Sequence, residues 1–276
     1  MAERTTQSWT TAPHFFLSRE VDATALNAAR HVAGDVSHTD LLVSLVARAL
    51  AKHPRMNASW VERTVRSHRD INVAIAIAVD DAVVIGVIHG AERLSPADIA
   101  SRRKELVDRA RDGTLQPADI AGATFTISNL GMYQVDALTA VIVPPQAGIL
   151  AVGAIADRVV AVNGQAVVRP TMTLTLRCDH RVVDGARGAA FLNAVVEAIC
   201  NLTLSSCRSA RSLFRFVGGS LARSGLRTSA GPRKTRKHET HENDTYIRSR
   251  SSGTASASRM MAQYSASTRL FAGIHR

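Results

Sequence analysis

The chain has 276 residues, 46% of them hydrophobic and only 4% aromatic, which is ample for a buried core and poor in the stacking side chains of a nucleic-acid platform. Its formal charge of +11 is uneven: residues 201–276 hold 14 Lys/Arg against 3 Asp/Glu, leaving 20 of each sign in residues 1–200, so the front gives no electrostatic reason to expect a polyanion partner. The three cysteines, Cys178, Cys200 and Cys207, show no Cys-x-x-Cys or His/Cys spacing, which argues against a structural zinc site and for free thiols in a reducing compartment.

Residues 1–12 are polar and are expected as a short N-terminal arm with no secretory signal. His14–Val21 reads as a strand with Phe15 and Phe16 as core candidates, and Asp22–Arg30 as a helix rich in alanine and leucine. Ser37 caps the next helix and Asp40 stands at the capping-box position, after which Leu41, Leu42, Leu45, Val46, Ala49 and Leu50 share a face up to the stop before Pro54. Ile71–Val79 and Val83–Ile88 read as buried strands joined by a tight turn at Asp80-Asp81. Ser95-Pro96 opens another helix, which Gly113 ends.

Thr124–Ser128 reads as a short strand running into a turn at Asn129-Leu130-Gly131. The stretch Ala137–Ala156 carries no charge and has the length of a membrane span, but Pro144-Pro145, Gly148 and Gly153 interrupt it. Two buried strands joined by a proline turn account for it better. Val159–Val162 and Ala166–Val168 form a hairpin at Asn163-Gly164. Thr171–Cys178 alternates, with Met172, Leu174, Leu176 and Cys178 on one side and Thr171, Thr173, Thr175 and Arg177 on the other. A last helix covers about 186–200. The tail 201–276, rich in Ser, Arg, Thr and Gly, is expected to be largely disordered, with a short basic helix around Ser209–Val217. The layout is mixed α/β.

Two segments carry chemistry. His180 follows the alternating strand, where a rigid element can hold a general base, and its near-neutral pKa suits deprotonation of a thiol. Asp184 lies four residues on, close enough to fix the turn, and Gly185 permits an unusual backbone shape. On its own the pattern is more simply a surface histidine beside a solvated or helix-capping aspartate. Ser128 ends a strand beside a turn, a place from which a hydroxyl can donate to a developing oxyanion; the plainer account is that Ser128 and Asn129 satisfy turn backbone.

Together the two segments are more specific. Asp179–Ala186 and Ser128–Met132 resemble the active-site signature of the dihydrolipoamide acyltransferases of 2-oxoacid dehydrogenase complexes, and Ala12–Phe15, Pro54–Ala58, Arg109–Leu115 and Pro145–Leu150 agree in order. The resemblance implies an α/β, chloramphenicol acetyltransferase-like two-layer sandwich, a mixed sheet flanked by helices, over residues 13–200. It implies a homotrimer, often built into a larger hollow core, with the active site in a channel between subunits. Coenzyme A enters that channel from one end and a dihydrolipoyl arm from the other. By the same resemblance His180 is the general base, Ser128 the oxyanion donor facing it from a neighbouring subunit, and Asp184 a structural aspartate of the site. Asn129, Gly131, Arg181 and Gly185 are expected to line the substrate, and no metal is expected.

The chain also departs from the family pattern. No lipoyl segment precedes residue 13, so the lipoyl group is expected on another chain, alongside other subunits of the complex. Only the end of the family's first helix is expected, at Glu3–Ser8; Gly86 stands where the family commonly has proline and is expected to loosen a strand edge; and the match stops near Ile199. The competing expectations are a truncated, inactive core subunit and a binder of nucleic acid or membrane through the basic tail, the latter disfavoured by the scarcity of aromatics. A bacterial cytoplasm is expected, with the mitochondrial matrix as the alternative. The acyl group stays open among acetyl, succinyl and branched-chain.

Overall fold

The structure is a computed structural model that describes residues 2–80 and 82–202. The basic tail from residue 203, with Cys207 and the helix expected over Ser209–Val217, lies outside the described residues. The elements are α1 (Ala2–Thr11), β1 (His14–Asp22), α2 (Thr24–Val32), α3 (His38–Lys52), β2 (Ala58–Val61), β3 (Thr64–Ser67), β4 (Val73–Val79), β5 (Ala82–Ile88), α4 (Pro96–Arg111), α5 (Pro117–Ile120), β6 (Phe125–Asn129), β7 (Gly148–Val152), β8 (Ala156–Val162), β9 (Gln165–Asp179) and α6 (Gly185–Cys200). No described helix is long and apolar enough to cross a membrane.

Seven strands form one mixed sheet in the order β1-β9-β7-β6-β4-β5, with β8 paired to the first half of β9. β4, β6 and β7 are mutually parallel and the remaining pairings antiparallel. Because cross-strand partners share a face, the register sorts the side chains. Phe15, Leu17 and Val21 of β1 join Cys178, Leu176 and Met172 of β9, Leu150 of β7 and Ile127 of β6 on the face that packs against the helices. Phe16, Ser18, Arg177, Thr175, Ile149, Ala151, Thr126 and Ser128 lie on the opposite face.

The helices start where their caps dictate. Ser37 accepts the N–H of Asp40 while the Asp40 carboxylate accepts the N–H of Ser37, and Ser95 and Asp98 repeat the arrangement with Pro96 at the first helical position. α3 is buried on more than the expected stripe, since Val43, Ser44 and Ala47 are also covered; it contacts α2, α4 and α6 at once.

Several expectations need correction. α2 begins at Thr24 because Asp22 remains in β1 and its carboxylate accepts the Thr24 N–H at 2.8 Å. Phe16 is 58% exposed, placed by the pleat on the face away from the helices. Residues 138–143 form no strand, and β7 is the strand that lies wholly within the uncharged stretch, whose last residue starts β8. The apolar character there reflects cover over the sheet's second face: Ile142 is buried, and the carbonyl of Ala140 accepts a hydrogen bond from Arg177 at 3.0 Å. The two strands expected at 166–168 and 171–178 are one, β9. Gly86 allows close packing rather than a loose edge, for a Cβ there would stand 3.0 Å from Ile77 Cδ1 and 3.3 Å from Leu106 Cβ on α4.

Candidate active site

β9 delivers His180. Its last residue, Asp179, is 3% exposed, and its N–H donates to Ala147 O at 2.9 Å. The carbonyl of Asp179 then accepts the N–H groups of Val182 and Val183, closing a tight turn, while the His180 N–H donates to Pro13 O at 2.9 Å. The Asp179 carboxylate clamps Arg181 by its backbone N–H at 3.0 Å, by Nε at 2.9 Å and by Nη2 at 2.6 Å. That hydrogen bonding, chiefly from the carboxylate, raises the Arg181 pKa above its ordinary value. The Arg181 guanidinium also sits 5.5 Å from the centre of the Trp60 ring on β2.

The His180 side chain is exposed, and its recorded ring contact is with Phe15, at 4.9 Å between centroids and 58° between planes. Asp184 is the N-cap of α6: it accepts the Arg187 N–H at 2.8 Å and pairs with the Arg187 guanidinium. The expected aspartate therefore anchors the helix that follows the loop and does not touch the imidazole. Gly185 is the first residue of α6 and faces open space.

Ser128, expected to end its strand, is the penultimate residue of β6, half-buried and paired with Ala151; among the described residues its hydroxyl has no hydrogen-bond partner. Asn129 is committed at both ends, donating to Thr39 Oγ1 on α3 at 3.0 Å and accepting the Gly131 N–H at 2.9 Å. Gly131 is packed so closely that a Cβ would stand 2.9 Å from Gly153 O. Asn129 and Gly131 thus build the turn that ends β6.

The strand register separates His180 from Ser128. Ser128 is level with Ala151 and Ala151 with Thr175, so Ser128 lies two strands away from β9 and five residues back from His180. That offset puts the two α-carbons roughly 19 Å apart within one protomer. Among the described residues no group of three or more His, Cys, Asp or Glu is placed to hold a metal ion.

Sequence reasoning gave Asp179 and Arg177 no role and read Phe15 only as core. Asp179 and Arg181 are two apart at a strand end, a spacing that any extended segment can produce. Trp60 lies far away in sequence, so nothing marks its approach to Arg181. Arg177 is 7% exposed, and burial pulls its pKa down; it donates to Ala140 O and lies 4.8 Å from the centre of the Trp9 ring.

Comparison with known proteins places the chain in a family. The family model of the 2-oxoacid dehydrogenases acyltransferase (catalytic domain) matches residues 1–206. A dihydrolipoyllysine-residue acetyltransferase component of the pyruvate dehydrogenase complex from Rickettsia felis is 37% identical over 203 residues, 70% of this chain and 49% of that protein. The mitochondrial counterpart from Schizosaccharomyces pombe is 36% identical over 211 residues, 73% of this chain and 44% of that protein. The chain thus spans about half the length of the curated relatives it matches. A probable dihydrolipoamide acetyltransferase from Listeria monocytogenes superposes with a TM-score of 0.71 at 32% identity, over 73% of this chain and 90% of that one. So does a dihydrolipoamide acetyltransferase from Azotobacter vinelandii, in which a serine, a histidine and an asparagine have been investigated for their role in catalysis, with a TM-score of 0.70 at 26% identity, over 73% of this chain and 87% of that one. With the family match running through every described element from α1 to α6, the chain belongs to the acyltransferase (catalytic domain) family of the 2-oxoacid dehydrogenases.

Proposed function

We propose that the chain transfers an acyl group, most simply acetyl, between coenzyme A and a dihydrolipoyl thiol carried by another chain of a 2-oxoacid dehydrogenase complex. The relatives' names support acetyl. His180 takes the proton from the attacking thiol, and the thiolate adds to the thioester carbonyl carbon. The oxyanion so formed accepts a hydrogen bond from Ser128, and its collapse breaks the carbon–sulfur bond of the original thioester and expels its thiolate, which takes up the proton held by the His180 imidazolium.

The observation that carries this reading is the placement of the two groups. An exposed imidazole just beyond β9 and an unpartnered hydroxyl near the end of β6 stand roughly 19 Å apart by register, a separation that suits a site shared between neighbouring copies. The working assembly is accordingly a homotrimer, open to packing into a larger core, with residues 13–200 as its catalytic unit. Asp184, Gly185, Asn129, Gly131 and Arg181 shape the walls: the first two start α6, the next two end β6, and Arg181 offers a fixed cation beside His180. The bacterial relatives favour a bacterial cytoplasm as the setting.

The test is thioester formation from acetyl-coenzyme A and free dihydrolipoamide. His180→Ala is expected to abolish it, and Ser128→Ala to slow it by about 10²- to 10³-fold, the usual cost of one oxyanion donor. An unchanged rate in His180→Ala sinks the mechanism, and an inactive parent that still forms the trimer leaves only a structural core subunit.

A further inference from the structure

We propose that Phe15 is a positioning residue that holds the His180 imidazole in its reactive orientation, a task no carboxylate performs among the described residues. The proposal rests on the acyl-transfer reading of His180. A general base must present one nitrogen to its thiol within a narrow range of angles. Both aspartates near His180 in sequence are spent elsewhere: Asp179 on Arg181, Asp184 on the first turn of α6. The imidazole makes no hydrogen bond among the described residues, which leaves its main chain and its ring to be fixed by other means.

One strand supplies both. The Pro13 carbonyl, immediately before β1, receives the His180 N–H, and the Phe15 ring, two residues further on, meets the imidazole at 4.9 Å with the planes tilted by 58°. Tilted ring pairs at this separation are attractive and directional. Phe15 is in turn held in place. It is half-buried, paired across β1–β9 with Cys178, and backed by α6 at Gly188. A Cβ on Gly188 would lie 3.5 Å from Phe15 Cζ, 3.1 Å from Leu17 Cδ1 and 3.6 Å from Cys178 Sγ, so the helix can come this close only without a larger side chain. The chain of support runs from α6 through Phe15 to the base.

The test compares Phe15→Leu, which keeps bulk in the notch but removes the ring, with Phe15→Tyr, which keeps the ring, in the full-length assembled protein. Phe15→Leu is expected to lower kcat by about 10- to 100-fold, the scale of a mispositioned catalytic group, with KM within about twofold. Phe15→Tyr is expected to recover most of the rate. In a crystal structure of Phe15→Leu, the His180 side chain is expected to spread over more than one rotamer, where the parent shows one. A single unchanged rotamer, or a kcat within twofold of the parent, overturns the proposal. The rotamer readout needs no turnover, so it decides the role of Phe15 even if the parent proves inactive and the acyl-transfer reading fails.

Discussion

Asp184 illustrates how a residue can hold the loop after His180 without touching the imidazole. Its pKa is pulled below the ordinary 3.8, first by the Arg187 backbone N–H and then by the Arg187 guanidinium. A depressed carboxylate pKa stabilises the folded state fully above the ordinary value, and the contribution fades as pH falls through the folded-state value. Asp184→Asn keeps an oxygen for the cap but removes the titration. The variant is therefore expected to be slightly less stable than the parent near neutrality, to converge with it at acidic pH, and to depend less on pH in between, as followed by circular dichroism. Asp40 is the opposite case. It is fully buried and receives Ser37 N and Oγ at 2.8 and 2.7 Å and Arg103 Nε and Nη2 at 2.7 and 3.2 Å. Removing the cation strands a buried charge, so Arg103→Ala is expected to cost about 3 kcal/mol in urea unfolding. Arg103→Lys should restore only part, because an ammonium cannot reproduce the paired contact of the guanidinium.

At the level of elements, two hairpins share a turn geometry but not a sequence. Asn163-Gly164 joins β8 to β9 with φ of 51° and 79°, the residues that such a turn favours, and it was legible as a hairpin. Glu62-Arg63 joins β2 to β3 with φ of 50° and 60°, yet neither residue is suited to the left-handed region. That hairpin left no signal in the sequence because its turn defies local preference. Arg63→Gly should raise stability by about 1 kcal/mol, seen as a higher Tm, since the Glu62–Arg66 ion pair beside it is exposed and stays in place. Capped helices and alternating strands were legible for the converse reason: Ser37, Ser95 and the Met172–Cys178 alternation obey local rules. What failed was the inference from pattern to surroundings. The threonine side of β9 was read only as the side opposite Met172–Cys178, with its surroundings left open, and Thr171 and Thr175 are buried. The apolar run before Pro144 looked like a strand, but it covers a sheet face without pairing. Alternation reports which side a residue takes, and neighbours from elsewhere in the chain decide whether that side meets solvent.

At the scale of the whole molecule, His180 and Ser128 could each be picked out from sequence, and the sheet register sets them roughly 19 Å apart within one protomer, in line with the neighbouring-subunit arrangement that the resemblance implied. The sheet face that carries Ser128 also presents Phe16, 58% exposed, and next to Arg177 on that face lies Trp9 of α1, 61% exposed, aromatic surface of the kind that interfaces bury. A site assembled from two copies makes a prediction that a site within one copy cannot share. Chains carrying Ser128→Ala keep His180, and chains carrying His180→Ala keep Ser128. When the two are unfolded, mixed in equal amounts and refolded into random trimers, an interface is intact when it draws its histidine from the first kind and its serine from the second. With one histidine–serine pairing per interface, the mixture should recover on the order of a quarter of the parental rate, although each variant alone is nearly inactive. A mixture that stays at the mean of the two separate variants would place both groups of the reaction in the same subunit, against the distance that the strands impose.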